Sequence, residues 1–288
     1  MFRFIKCYPP AKINLSLRIL FKRVDGYHEI ETLLQTVNLT DSLEISLTNN
    51  HSIELNVFKS NIPSDESNLC FKAAELFSKE VKGFCGCKIE LTKTIPDGAG
   101  LGGGSSDAAS TLKSLNELFD YTLSNEKLFK LASTLGSDVP FFLREGTAVG
   151  NGRGDILTYV ETTWNYPVLI VCPSFKISTS WAYQNLKIAL TREPNCNILL
   201  SLLSEKLSSS DILKYFSNDF ESPVFLKYPN LGELKDRLYQ EGAFFAGMSG
   251  SGSSLFGLFF SNNQAKKAKI SFQNQYTVFI AKLIAGNK

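Results

Sequence analysis

Histidine is scarce in this chain of 288 residues, which has two, His28 and His51. A zinc centre needs three or four nitrogen or thiolate ligands at regular spacing. The six cysteines (Cys7, Cys70, Cys85, Cys87, Cys172 and Cys196) do not supply them, because Cys85-Gly-Cys87 stands without a second pair. Several lie in apolar runs and read as small buried hydrophobes in a reducing compartment. Charge of one sign is also lacking. Lys and Arg number 30 against 28 Asp and Glu, for a net +2, and the basic residues are scattered, which excludes nucleic-acid binding by bulk charge. Long apolar runs are missing too: Val168–Cys172 is far short of the roughly 20 residues of a membrane span. Arg3, Lys6 and Lys12 interrupt the one stretch that resembles a signal peptide. The expectation is a cytoplasmic protein without a nucleic-acid or membrane partner.

Glycine is concentrated. The run Pro96-Asp97-Gly98-Ala99-Gly100-Leu101-Gly102-Gly103-Gly104-Ser105-Ser106 holds five glycines in seven residues. Without Cβ atoms the backbone admits a ligand closely and takes positive φ. Upstream, Cys87–Thr92 reads as a strand; downstream, Ala108, Leu112, Leu115 and Phe119 have helical spacing. A strand, a glycine loop and a helix N-terminus, with Ser105 and Ser106 as caps or phosphate contacts, form an anion cradle. It is not a Walker A loop, since no Gly-Lys-Ser/Thr follows. Gly98, Gly100 and Gly103 fit a dinucleotide fingerprint, but Phe119–Asn125 is a helix end and turn where an acidic strand end should stand.

Strands and helices mix without regular alternation, so the fold class is α+β in two lobes. Lys12–Leu20 alternates as a half-buried strand, with Ile13, Leu15, Leu17 and Ile19 inward. Leu43–Leu47 and Ile53–Val57 alternate likewise across an Asn49-Asn50 turn. Ser67 is expected to cap one helix; Ser124 begins another, which Gly136 stops. The pattern restarts near residue 160, giving lobes 1–162 and 163–288. The second has a strand at Val168–Cys172, a helix marked by Leu231, Leu234 and Leu238, a loop Met248–Ser254, and strands Leu255–Phe260 and Thr277–Ile284. The stretch Thr191–Ser210 is irregular.

Two residues stand out for chemistry. Lys12 follows Pro9-Pro10-Ala11, where a lysine is ordinarily a solvated edge residue. Asp138, in Gly136-Ser-Asp138-Val-Pro140-Phe-Phe, has an ordinary reading as a helix N-cap. A carboxylate among apolar neighbours needs a partner, and a lysine would serve.

Four segments taken together resemble the three signature regions and catalytic aspartate of the GHMP kinases (galactokinase, homoserine kinase, mevalonate kinase, phosphomevalonate kinase). They are Pro9-Pro-Ala-Lys12-Ile-Asn14-Leu, Pro96–Ser106 with Asp107-Ala-Ala, Gly136-Ser-Asp138-Val-Pro140, and Gly247-Met-Ser249-Gly250-Ser-Gly252-Ser. The resemblance spans roughly residues 9 to 258 and leaves Thr191–Ser210 without a role. It implies a two-lobed GHMP-kinase-like fold, with a ribosomal-S5-like N-terminal lobe and a ferredoxin-like C-terminal lobe. ATP would lie on Pro96–Ser106 with Asn68 touching the nucleotide. Lys12 and Asp138 would be catalytic. Mg²⁺ is implied with ATP; its ligands stay unassigned, with the Ser105 or Ser106 hydroxyl and waters sufficing.

Arg23-Val-Asp-Gly26-Tyr27-His28-Glu and Thr32-Leu-Leu-Gln35 are similar to the branch whose acceptor is a cytidine diphosphate-linked methylerythritol, in non-mevalonate isoprenoid synthesis. Ser67-Asn68-Leu69, Gly152-Arg-Gly154-Asp, Pro173 with Thr179, and Asn218-Asp-Phe-Glu221 match it as well. That implies Tyr27 stacking on a base, Tyr183 on its opposite face, His28 at its polar edge, and Asn14 and Thr179 on the substrate. Two alternatives stay open: a homoserine or mevalonate type of acceptor, and a nucleotide-binding protein without catalysis. Oligomeric state is not readable.

Overall fold

A computed structural model of the chain describes residues 3–186 and 209–286. The chain forms two compact units, each assembled from separated segments. The first comprises Met1–Ala11, Thr40–Asp97 and Gly102–Arg144; the second comprises Lys12–Leu39, Gly98–Leu101 and Glu145–Lys288. The sequence pattern had suggested a single boundary at 162/163, because local periodicity does not report which distant strands pair.

In the first unit the sheet order is β1 (Phe4–Cys7), β4 (Ser42–Leu47), β6 (Cys87–Thr92), β5 (Ile53–Phe58). Leu43 faces Leu91 and Ile45 faces Ile89 across the antiparallel β4–β6 pair. β5 runs parallel to β6, which requires a crossover; α1 (Leu69–Glu80) supplies it. It buries Cys70, Ala73, Ala74 and Phe77 at helical spacing. Its N-cap is Asn68, not Ser67: Asn68 Oδ1 accepts from the Cys70 N–H at 2.9 Å, while Ser67 Oγ turns to Asp65 at 2.6 Å. α2 (Gly103–Leu118) packs on α1, on α3 (Asn125–Leu135) and on β1 and β4. Small residues, Ala108 to Thr111, let it be covered on most sides. Ser124 caps α3 and Gly136 ends it, as the sequence suggests.

The second unit has two sheets. One runs β2 (Pro10–Lys22), β3 (His28–Thr40), β7 (Thr147–Asn151), β8 (Ile156–Val160). The other runs β10 (Phe245–Met248), β11 (Leu255–Leu258), β9 (Pro167–Cys172), β12 (Thr277–Lys282), antiparallel throughout. Short helices α4 (Thr179–Gln184), α5 (Ser209–Tyr215) and α6 (Glu221–Lys227) follow β9. Then α7 (Pro229–Gln240) packs on β10 and β11, and α8 (Asn262–Phe272) on β9 and β12. Strand order 2-3-1-4, with α7 from one crossover and α8 from the other packed on the sheet, is the ferredoxin-like arrangement. β11 and β12 each end two residues earlier than their apolar runs. The stretch Thr191–Ser210 lies outside the described residues except for its last two, which open α5.

One strand departs from expectation in a telling way. β2 is buried on both faces over its first half: Lys12, Asn14 and Ser16 are as covered as Ile13, Leu15 and Leu17. A polar row without water must be satisfied internally. Among the described residues no helix is long and apolar enough to cross a membrane.

Candidate active site

The glycine loop takes positive φ at Gly98 (67°), Gly100 (82°) and Gly102 (71°), which a side chain would resist. Gly102 is the N-cap of α2, and no side chain bonds the first-turn N–H groups. Ser105 and Ser106 therefore sit inside the helix and do not cap it. Ser106 donates its N–H to Gly102 O at 2.9 Å, and its buried hydroxyl has no hydrogen-bond partner. An uncapped helix start with an orphan hydroxyl suits an anion.

Gly98–Leu101 belongs to the second unit and is fixed there by its carbonyl oxygens. The Lys12 N–H donates to Leu101 O at 2.9 Å, and the Ser254 N–H to Ala99 O at 3.2 Å. Lys176 lays its aliphatic stem against Gly98, where a Cβ would come within 2.8 Å of it. The second glycine–serine loop, Met248–Ser254, thus supports the first. It is braced in turn by Asn218 Nδ2, which donates to Met248 O and Gly250 O (2.7 and 2.8 Å), and by Glu221, which accepts the Met248 N–H at 2.9 Å. Asp219 accepts the Ile19 N–H at 2.7 Å and so ties the same segment to β2.

The polar row of β2 is a hydrogen-bonded chain. Lys12 Nζ donates to Asn14 Oδ1 at 2.6 Å, Asn14 Nδ2 to Thr32 Oγ1 at 2.8 Å, and Thr32 Oγ1 to Ser16 O at 2.8 Å. Lys12 is 4% exposed, so it is not a solvated edge lysine. A lysine is seldom buried unless it is paired.

A second buried lysine escaped the sequence reading. In the first unit, Lys93 at the end of β6 bonds Asp41 and, at 2.7 Å, Asp107 Oδ2. Asp41 Oδ1 also accepts the N–H groups of Thr94 (2.5 Å) and Ile95 (2.9 Å), where the glycine loop begins. Burial pushes the Asp107 carboxyl up to about 8 against the pull of Lys93, and the charge of Asp41 adds to the rise. Asp107 Oδ1 is buried without a partner, which suits a protonated acid. Burial works against the Lys93 charge, but Asp107 and Asp41 outweigh it and its pKa lies above the ordinary value. The cluster joins β6, the loop and α2.

Asp138 lies in the turn between α3 and a 3₁₀ helix (Pro140–Leu143) whose N-cap is Val139, so it is not a capping residue. It is half-buried in the first unit, together with Asn68. Asn68 uses both ends of its amide locally, the cap described above and a bond from Nδ2 to Pro63 O at 2.7 Å. In the second unit Tyr183 is stacked on His28, with ring centroids 4.8 Å apart and planes at 19°, and meets Phe220 edge-on. Burial lowers the His28 pKa and Lys22 lowers it further. Tyr27 lies under Arg153. Thr179 Oγ1 is 2.9 Å from Ser251 Oγ of the second glycine loop. Among the described residues no group of three or more His, Cys, Asp or Glu is placed to hold a metal ion.

A family model for the GHMP kinases N terminal domain matches residues 68–146, and one for the GHMP kinases C terminal domain matches 199–277. The chain is 42% identical over 266 residues to 4-diphosphocytidyl-2-C-methyl-D-erythritol kinase of Prosthecochloris aestuarii, covering 92% of this chain and 91% of that one. It is 40% identical over 270 residues to the enzyme of the same name in Chloroherpeton thalassium, covering 92% and 93%. The chain belongs to the GHMP kinase family. It is a small-molecule kinase that takes ATP as co-substrate. A crystal structure of 4-(cytidine 5'-diphospho)-2C-methyl-D-erythritol kinase superposes with a TM-score of 0.81 at 32% identity, covering 98% of this chain and all of that one. Homoserine kinase from Cytophaga hutchinsonii matches at 0.76 and 20% identity over 99% and 96% of the two chains, a likeness of GHMP fold alone.

Within that family frame, the Asn218–Glu221 segment was visible in sequence as a match but not as a brace. Lys93 was not singled out, because nothing in Thr92-Lys-Thr-Ile-Pro96 says that two aspartates, 52 residues before and 14 after, converge on it.

Proposed function

We propose that the chain transfers the γ-phosphoryl group of ATP to the 2-hydroxyl of 4-diphosphocytidyl-2-C-methyl-D-erythritol, in non-mevalonate isoprenoid synthesis in the cytoplasm. Agreement on that one acceptor among relatives at 37–42% identity carries the reading. The stacked His28–Tyr183 pair and the exposed Tyr27 ring support it, since a cytosine needs flat apolar faces beside polar edges.

Phosphoryl transfer relies on positioning and charge stabilisation more than on covalent chemistry by the protein. The N–H groups of the Pro96–Ser106 loop hold the ATP phosphates, with Asn68 near the nucleotide. Asp138 accepts or orients the proton of the acceptor hydroxyl. Lys12, oriented by Asn14, stabilises that aspartate and the charge that develops beside it. Asn14, Tyr27, His28, Thr179 and Tyr183 hold the acceptor.

Mg²⁺ would travel with ATP. When bound it would supply positive charge to offset that on the phosphates. The residues fit an ion carried by the nucleotide: the Ser106 hydroxyl is buried and unpartnered in the first turn of α2, and Mg²⁺ commonly keeps water ligands and few protein ones.

The test is ³¹P NMR of the product formed from ATP with 4-diphosphocytidyl-2-C-methyl-D-erythritol, with homoserine and mevalonate as parallel acceptors. A new phosphomonoester on the erythritol arm alone is expected. Transfer to another acceptor would keep the kinase and overturn the acceptor. ATP binding without transfer to any of the three would overturn the reaction.

A further inference from the structure

The turn Gly152-Arg153-Gly154, which joins β7 to β8, has no part in the chemistry above, yet it is tightly specified. Both glycines are left-handed, at φ +68° and +92°, and a Cβ on Gly152 would meet Asp155 Oδ1 at 3.0 Å. The turn is fastened to the start of β3. The Gly152 N–H donates to Glu29 Oε1 at 2.9 Å, and the Ile30 N–H donates to Gly152 O at 2.8 Å. Glu29 Oε2 accepts from Arg23 at 2.6 Å, and Arg23 also pairs with Asp25. The Tyr27 O accepts the Arg23 N–H at 2.8 Å, and the Tyr27 N–H reaches Asp25 Oδ1 at 3.1 Å. The backbone of the 23–28 segment is therefore held, but the Tyr27 ring itself is 55% exposed.

Arg153 holds that ring. Its N–H and guanidinium both bond Asp155, at 3.0 and 3.1 Å, which fixes the side chain. The guanidinium carbon then lies 4.9 Å from the Tyr27 centroid, within cation–π range. A planar guanidinium over one face of a phenol sets its tilt and leaves the other face open.

We infer that Arg153 is a positioning residue for the cytidine end of the acceptor: it backs the Tyr27 ring so that the opposite face receives the base. The inference rests on the proposed acceptor. Because Asp155 pairs with the guanidinium, Arg153 acts through Tyr27 and not as a free cation for the diphosphate.

The test is steady-state kinetics of wild type, R153Q, R153K, Y27L and the Y27L/R153Q double variant, with melting temperatures as a check on folding. ³¹P NMR of the wild-type product comes first. Arg153→Gln is expected to raise KM for the acceptor about two- to fivefold, the size of an exposed cation–π contact. KM for ATP and kcat should stay unchanged, and Arg153→Lys should recover part of the loss. In the Tyr27→Leu background, Arg153→Gln should add nothing. Multiplying effects in the double variant would mean that Arg153 touches the substrate itself, and would overturn the inference. So would an unchanged acceptor KM in R153Q, or an equal rise in KM for ATP. An active wild type with any of these results sinks the Arg153 role alone. A wild type that leaves this acceptor unphosphorylated sinks the acceptor reading and this inference with it.

Discussion

Ser249 Oγ donates to the Gly100 carbonyl oxygen at 2.8 Å, joining two glycine–serine loops 149 residues apart. The contact is close enough to exclude a side chain: a Cβ on Gly100 would lie 2.2 Å from Ser249 O, at a φ of +82° that already disfavours one. Gly100→Ala must therefore move one loop off the other. We expect it to raise KM for ATP about tenfold or more, since displaced loop atoms lose transition-state geometry steeply. Ser249→Ala removes one neutral hydrogen bond, about 1 kcal/mol, and should shift the same KM by less. Kinetics with ATP varied would show the order. A Gly100→Ala enzyme with wild-type ATP kinetics would separate this loop from the nucleotide.

The Lys93 cluster predicts a pH dependence of stability with a definite sign. Burial raises the folded-state pKa of Asp107 from an ordinary 3.8 to about 8, so the folded chain binds the extra proton between those limits. Stability from this group is then lost as pH rises through the window. Asp107→Asn mimics the neutral acid and should not lose it. The difference in unfolding free energy between D107N and wild type should grow in favour of the variant from pH 5 to pH 8, by at most about 4 kcal/mol. Urea melts of both proteins across that range measure it. Parallel slopes would place a charged Asp107 in the folded chain.

Lys93→Met at the same site should cost about 3–5 kcal/mol, because it strands a buried carboxylate. Urea melts at pH 7 would read that loss. A near-neutral result would mean that Asp41 is satisfied by the Thr94 and Ile95 N–H groups alone.

How much of this was legible in the sequence follows physical lines. Period-two and period-3.6 patterns placed β4, β6, α3 and α7 well, because each buries one face against a neighbour. The same logic failed on β2, where Lys12, Asn14 and Ser16 alternate like a solvated face but are buried and bonded to one another. Alternation reports polarity, not exposure. The sequence pointed to Ser67 as the cap of α1, and to Ser105 and Ser106 as caps of α2 or phosphate contacts, but Asn68 and Gly102 occupy the cap positions; neighbouring capable residues compete, and local sequence does not rank them. The glycine loop was readable as backbone chemistry. What fixes it, through Lys93, Asp41, Asn218 and Glu221, was not, since contacts between distant segments leave no local period.

Thiol reactivity offers a check on the core that is independent of catalysis. Burial pushes Cys87 up to about 12 and Cys172 to about 11, and raises Cys70 further still. The thiolate is the reactive form, so these three should resist an aromatic disulfide reagent in the folded chain at pH 8 and react at once in denaturant. Mass spectrometry of tryptic peptides would assign each site. Fast native labelling of Cys70, in the centre of the α1 interface, would mean that α1 does not pack as described.

The proposed chemistry is tested most directly at Asp138. An alcohol is a weak acid, so its proton must leave as the phosphoryl group arrives, and a positioned base contributes roughly 10²- to 10⁴-fold to such steps. Asp138→Asn keeps the size and one oxygen of the side chain and removes its basicity. We expect kcat to fall by about 10²-fold or more, with KM for ATP within about twofold of wild type, because binding that is equal in ground and transition states is untouched. Lys12→Met should lower kcat as well, and it also deprives Asn14 Oδ1 of its 2.6 Å donor; a concomitant rise in acceptor KM is expected, as Asn14 is a proposed acceptor contact. Single-turnover rates with saturating ATP distinguish the chemical step from product release. A tenfold or smaller loss in D138N would leave Asp138 an orienting group, with geometry at the glycine loop supplying most of the rate.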